Sequence, residues 1–179
     1  MHNNTTISPL IRKGLLSDKA QLTALFKRVA AIPGGLARTA EEITDSHMTR
    51  LLTNATDRGI IFVAEYNNSL IGCILCLTLE PKLFIHIRSE TNILVDPQFQ
   101  GLGIGSALIR TLQEDVMNHH PSIMMIELVA RESNPAIRLY ERMGFKKQGR
   151  LEHRVLGING VYEADIPMSW LNPNFKKNN

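Results

Sequence analysis

Apolar positions along the chain fall into two rhythms. Leu22, Leu25, Phe26 and Val29 recur at intervals of three and four, as do Ala136, Leu139, Tyr140 and Met143. Ile104, Leu108, Leu112 and Val116 repeat every fourth residue. Each set places an apolar stripe on one face of a helix. Ser17 is suited to N-cap the first of these helices. Thr39 and Glu42 have capping-box spacing and predict another helix running to about Asp57, stopped by Gly59. Asn134-Pro135 opens the last helix and Gly144 closes it. Between them lie short, β-rich runs: Ile7–Leu15, Ile60–Tyr66, Ser69–Leu79, Phe84–Val95, Ile123–Ala130, Phe145–Leu156 and Val161–Trp170. Asn67-Asn68 and Gly157-Ile158-Asn159-Gly160 read as hairpin turns. The Ile123–Ala130 run is almost wholly apolar apart from Glu127, as a buried parallel strand would be. The predicted order is βααβββαβαββ, one mixed α/β domain over residues 7–171 with flexible termini at 1–6 and 172–179.

A length of 179 residues suffices for one domain with a substantial core. The 20 basic and 17 acidic residues leave a net charge of +3, with both signs mixed along the chain. That balance argues against nucleic acid as a partner, yet would help to hold a polyanionic ligand. Residues 1–6 lack the pattern of a secretory signal and no apolar run approaches membrane-spanning length, so a cytoplasmic protein is expected. Cys73 and Cys76 have C-x-x-C spacing but sit in an apolar strand pattern, where residues three apart face opposite ways. Buried reduced thiols fit better than a metal or redox pair. His119-His120 before Pro121 reads as an exposed helix end.

The chemistry concentrates where the Asn92–Val95 strand pattern ends and the Ile104 helix begins. Asp96-Pro97-Gln98-Phe99-Gln100-Gly101-Leu102-Gly103-Ile104-Gly105 joins them. A helix start presents backbone N–H groups without intrahelical partners, and glycines let that backbone approach a bulky anion. A dinucleotide fingerprint would need a third glycine where Ser106 or Leu108 stands. A P-loop would need a lysine, and none occurs from Gly101 to Asn118.

The pattern Gln-x-x-Gly-x-Gly at Gln100, Gly103 and Gly105 resembles the coenzyme-A pyrophosphate loop of the GNAT superfamily, the GCN5-related N-acetyltransferases. A second stretch, Asn134 to Phe145, resembles the Asn-x-x-Ala-x-x-Leu-Tyr-x-x-x-Gly-Phe motif of the same superfamily. The late hairpin, Gly149 to Met168, is similar to the phosphinothricin and amino-acid acetyltransferase branch and to protein N-terminal acetyltransferases. The resemblance implies the acyl-CoA acyltransferase fold with a splayed parallel strand pair, and acetyl-CoA as cosubstrate. It assigns the pyrophosphate to Gln100, Gly101, Leu102, Gly103, Ile104, Gly105 and Ser106, and the pantetheine arm to Asn134. Backbone at Leu94 and Val95 would pair with that arm and polarise the thioester carbonyl. Tyr140 occupies the place of the acid that protonates the departing thiolate.

Glu90, five residues before Val95, matches a glutamate of the phosphinothricin-type enzymes and is the expected base. A solvated glutamate beside Arg88 is an equally ordinary reading of the same residue. His86, Glu152 and His153 are weaker candidates, and the loop Gly34–Arg38 reads equally as one wall of an acceptor site or as a plain connection with a surface arginine. The resemblance thus implies N-acetyl transfer to a small amine or amino-acid-like acceptor, with a peptide or protein amine as the alternative. A non-catalytic acyl-CoA-binding module is the rival outside catalysis. Homodimers are common in the superfamily and enter as one option for assembly.

Overall fold

The computed structural model describes residues 7–157 and 160–177. Its helices and strands run β1 (Leu10–Lys13), α1 (Lys19–Ala30), α2 (Asp45–Asp57), β2 (Ile60–Tyr66), β3 (Ser69–Thr78) and β4 (Ile87–Val95). There follow α3 (Ile104–His119), β5 (Met125–Arg131), α4 (Ile137–Arg142), β6 (Lys146–Lys147), β7 (Leu151–Leu156) and β8 (Tyr162–Leu171). One mixed sheet has the order β1-β2-β3-β4-β5-β8-β6, with β7 also paired to β8.

The sheet is covered on both faces because its central strands are apolar on both. Ile61, Val63, Leu75 and Leu94 meet Leu22, Leu25, Met48 and Leu52 of α1 and α2. Phe62, Ile74, Ile126 and Met168 pack with Leu108, Leu112 and Val116 of α3. Cys73 belongs to the first layer and Cys76 to the second, as strand parity requires. Both are free and buried, and burial pushes the Cys76 thiol up to about 12. Neither is a nucleophile at neutral pH.

Among the described residues, all strand pairs are antiparallel except β4 with β5. That parallel pair holds register only at Ile87–Met125 and Arg88–Ile126. Beyond those residues the strands separate, and β5 turns its other edge to β8 from Met125–Leu171 to Arg131–Asp165. The Thr91 hydroxyl donates to the Glu127 carbonyl at 2.8 Å just past the point of divergence. Strand β5 is therefore buried in alternation and not along its whole length.

Several boundaries differ from the sequence reading, each for a local reason. The Thr39–Glu42 pair does form half a capping box, with Thr39 N donating to the Glu42 carboxylate at 2.8 Å, but on an isolated turn. Helix α2 starts six residues after Thr39, capped by Thr44, whose hydroxyl accepts from His47 N. Lys82–Phe84 is a 3₁₀ turn, so β4 begins at Ile87. The strand expected over Phe145–Leu156 is two strands, both paired to β8: Gln148 N donates to Pro167 O in the register of Lys147 with Met168, and pairing resumes at Leu151 with Asp165, one residue out of step.

Asn172 is buried, its amide donating to Ile123 O at 2.8 Å, and Lys176 N donates to Pro121 O. The polar tail is thus held as far as Lys176. Of the termini expected at 1–6 and 172–179, residues 1–6 and 178–179 lie outside the described residues, as do Ile158-Asn159 of the hairpin turn.

Candidate acyl-transfer site

The strand-to-helix junction begins at Asp96. One carboxylate oxygen accepts from Gln98 N at 3.1 Å and the other from Arg28 Nε at 2.7 Å. Gly101 and Gly103 have φ of +77° and +81°, a region open to glycine and strained for other residues. Gly103 is the N-cap of α3, and no side chain caps the helix. The first internal bond of α3 runs from Ala107 N to Gly103 O, so the N–H groups of Ile104, Gly105 and Ser106 stand clear of it. A Cβ on Gly101 or Gly103 would meet nothing within 4 Å, which describes backbone facing open space. These uncapped donors, with the dipole of a 16-residue helix behind them, suit a pyrophosphate.

A cavity of about 470 Å³ opens over this junction. Of the residues assigned to the cofactor, Val95, Gln100, Gly101, Gly103, Ile104, Gly105, Ser106 and Asn134 line it, and Tyr140 lines it as well. Leu102 is exposed outside it, and the Leu94 side chain is buried toward α1, leaving only its backbone for any role. The Asn134 side-chain oxygen accepts from Ala136 N at 2.9 Å, which caps the first turn before α4. Its amide nitrogen has no partner among the described residues.

Tyr140 is 8% exposed, and its ring is tilted by 59° to that of Phe145 at a centroid distance of 6.2 Å. Burial pushes its phenol up to about 12, so it is a proton donor at neutral pH. The backbone of α4 fixes it. Phe145 N donates to Tyr140 O, and Gly144 turns the chain at φ +86°. From α3, Gln113 donates to Met143 O at 2.8 Å.

Where β4 and β5 diverge, a second cavity of about 220 Å³ follows the splay. Tyr140, Asn134, Gly34 and Gly35 are shared between the two cavities. Thr91, Asn92, Arg131 and Asp165 complete much of the polar wall of the splay cavity. The Gly34–Ala37 loop thus forms one wall of the splay cavity. Arg131 clamps it by donating to Leu36 O at 2.6 Å.

Glu90 lies elsewhere. It is exposed, with φ +49°, at a β-bulge: between the pairs Leu75–Asn92 and Leu77–Ser89, one residue of β3, Cys76, faces two of β4, Glu90 and Thr91. Its side chain lines a third cavity, of about 440 Å³, with Arg38, His47, Arg50 and Arg58. The bulge turns Glu90 away from the splay, while Thr91 and Asn92 line the splay itself. His47 loses proton affinity through burial first and then through Arg38 and Arg50, with Glu42 opposing.

The weaker candidates are scattered. His86 precedes β4 and lines a different depression with Met124 and Phe175. Glu152 pairs with Arg150, and His153 stands edge-on to Tyr162. His119 and His120 each contact a carboxylate oxygen of buried Asp115 at 3.1 Å. No group of three potential metal ligands occurs among the described residues. Sequence reasoning passed over Arg142 and Ile93, which line the junction cavity. Arg142 falls within the second motif, so its position was visible even though its role was not.

Residues 57–147 match the model of an acetyltransferase (GNAT) domain. Among relatives, the chain is 26% identical over 110 residues to spermidine N(1)-acetyltransferase of Escherichia coli, covering 60% of this chain and 55% of that protein. The chain therefore spans little more than half the length of that relative. The fold is shared with an acetyltransferase of the GNAT family from Streptococcus pneumoniae at a TM-score of 0.82, with 22% identity over 92% of this chain and 99% of the other. A phosphinothricin acetyltransferase from Sinorhizobium meliloti, in complex with AcCoA, gives a TM-score of 0.77 at 16% identity, covering 97% and 93% of the two chains.

Proposed function

This chain belongs to the GNAT acetyltransferase family, and on that footing we propose that it is an acetyl-CoA-dependent N-acetyltransferase acting on a primary amine of a small or amino-acid-like acceptor. One observation supports the reading above others. The uncapped glycine turn of α3, Asn134 and the buried Tyr140 border one cavity, and Asn134 and Tyr140 also border the cavity in the splay between β4 and β5. A binding module would have use for the first two; a buried phenol lining both cavities suits proton transfer.

Acetyl-CoA supplies an activated thioester. The amides of Ile104, Gly105 and Ser106 hold its pyrophosphate, and Asn134 Nδ2 is free to bond the pantetheine arm. Backbone at Leu94 and Val95 is the donor for carbonyl oxygen, where negative charge develops during attack. The phenol of Tyr140, kept neutral by burial, gives its proton to the departing sulfur. The attacking amine must shed a proton to expose its lone pair. Glu90 serves that role from beyond the bulge, through water, since its carboxylate lies outside the splay cavity. Attack is direct, within a ternary complex, and the protein acts in the cytoplasm.

The test is thiol release from acetyl-CoA with pooled amines: amino acids, polyamines, aminoglycosides and peptides with free N-termini. Release in one pool with acetylated product supports the reading. Acetyl-CoA binding without release in any pool favours the non-catalytic rival, and absence of binding removes the proposal altogether.

A further inference from the structure

The third cavity carries a charge pattern that the transfer chemistry leaves unused. Two chain segments pass from the splay cavity into it. Gly34 to Ala37 line the splay and Arg38 lines the third cavity; Thr91 and Asn92 line the splay and Glu90 lines the third. Arg38 and Glu90 are therefore the lining residues of the third cavity next in the chain to those of the splay.

Beyond these two, the ionisable wall residues are His47, Arg50, Arg58 and Glu80. Arg58 is occupied, donating to Asn54 Oδ1 at 3.0 Å and lying 3.8 Å from Glu80. Arg38 and Arg50 have no carboxylate partner among the described residues, yet both act electrostatically on His47 between them in the sequence. His47 Nδ1 is buried and has no hydrogen-bond partner among the described residues. Two unpaired guanidiniums and an unsatisfied imidazole nitrogen around one cavity suit an oxyanion, and guanidinium matches carboxylate in geometry as well as charge.

We propose that this cavity seats a carboxylate carried by the acceptor, held by Arg38 and Arg50 with His47 beside them, while Glu90 attends the amine end. The substrate class is then a small amino acid. This rests on the acetyl-transfer reading above and adds the anion to it. The same walls disfavour a polycation, because two of its possible contacts are uncompensated positive charges.

The full chain would be assayed with acetyl-CoA against α- and ω-amino acids, the carboxamide of each, and spermidine. At least one acid should exceed its own amide by about 10- to 100-fold in kcat/KM, the range expected for losing one or two charge-assisted hydrogen bonds. The double variant R38E/R50E should abolish that ratio through KM and raise kcat/KM for spermidine, a gain that misfolding cannot produce. Its acetyl-CoA Kd, measured separately, should be unchanged. A wild type that uses amides or spermidine as well as acids, or acids not at all, overturns the subsite. So does a double variant that keeps the wild-type ratio. If acetyl-CoA itself fails to bind the wild type, it is the acetyl-transfer reading that falls, and this one with it.

Discussion

Arg28 Nε donates to Asp96 Oδ2 at 2.7 Å, so α1 holds the residue from which the glycine turn springs. Asp96 is buried and its other oxygen is spent on Gln98 N. Replacing Arg28 by alanine leaves half of that carboxylate unpaired. We expect a loss on the order of 1–2 kcal/mol in urea unfolding, together with weaker acetyl-CoA binding in calorimetry. Unchanged affinity would mean that the turn keeps its shape without its tether.

Gly103 and Gly105 should part company under the same substitution. Alanine at Gly103 must adopt φ near +81°, costing on the order of 1–2 kcal/mol in stability. Alanine at Gly105 meets Leu139 at 3.4 Å and Val95 at 3.7 Å, ordinary contacts, and should move stability by less than about 0.5 kcal/mol. Thermal melts of the two variants, with and without acetyl-CoA, separate backbone strain from ligand contact.

Tyr140→Phe should lower kcat by about 10²- to 10⁴-fold if the phenol donates to the leaving thiolate. Acetyl-CoA affinity should hardly change. Burial pushes the phenol up to about 12, so its proton is present throughout the neutral and mildly alkaline range. The wild-type kcat profile should therefore rise as the amine deprotonates and show no falling limb from Tyr140 below about pH 11. A fall near pH 10 would contradict the buried environment.

Asp18 is held below the ordinary carboxylate value of 3.8, chiefly by its hydrogen bonds from Arg12, with burial opposing. Both terminal nitrogens of the Arg12 guanidinium reach it, at 2.8 and 2.9 Å. Because the folded value is depressed, the stabilisation is complete above 3.8 and is lost as pH falls through the folded value. Asp18→Asn should cost on the order of 2 kcal/mol at neutral pH. The difference between variant and wild type should vanish in strongly acid solution. Denaturant midpoints across an acid series would check both parts.

The features legible in the sequence are those made by neighbours in the chain. The α3 turn reads from Gln100 to Gly105, and Asn134, Tyr140 and Gly144 read as start, face and stop of one short helix. The splay was expected from family resemblance, and no local pattern near Arg88 or Ile126 marks where pairing ends. The placement of Glu90 was hidden for a similar reason. Its positive φ follows from a register mismatch with Leu75–Leu77, a relation between distant segments. Likewise Arg38, Arg50 and Glu90 meet in one cavity although they come from a loop, a helix and a strand. Composition could count those charges but could not gather them.

The parting of β4 and β5 puts two sheet rims inside the protein. Rims elsewhere are kept short or charged because their unpaired amides recruit other strands. Here they are shielded by α4 on one side and the Gly34–Ala37 loop on the other. A slender guest bearing its own amides could lie between them as a surrogate strand. Its arrival should slow deuterium uptake along Ile93–Val95 and Val129–Arg131 far more than across the continuous ladder of β2 and β3. The sheet would then be mended by its own substrate, and each turnover would open the seam again.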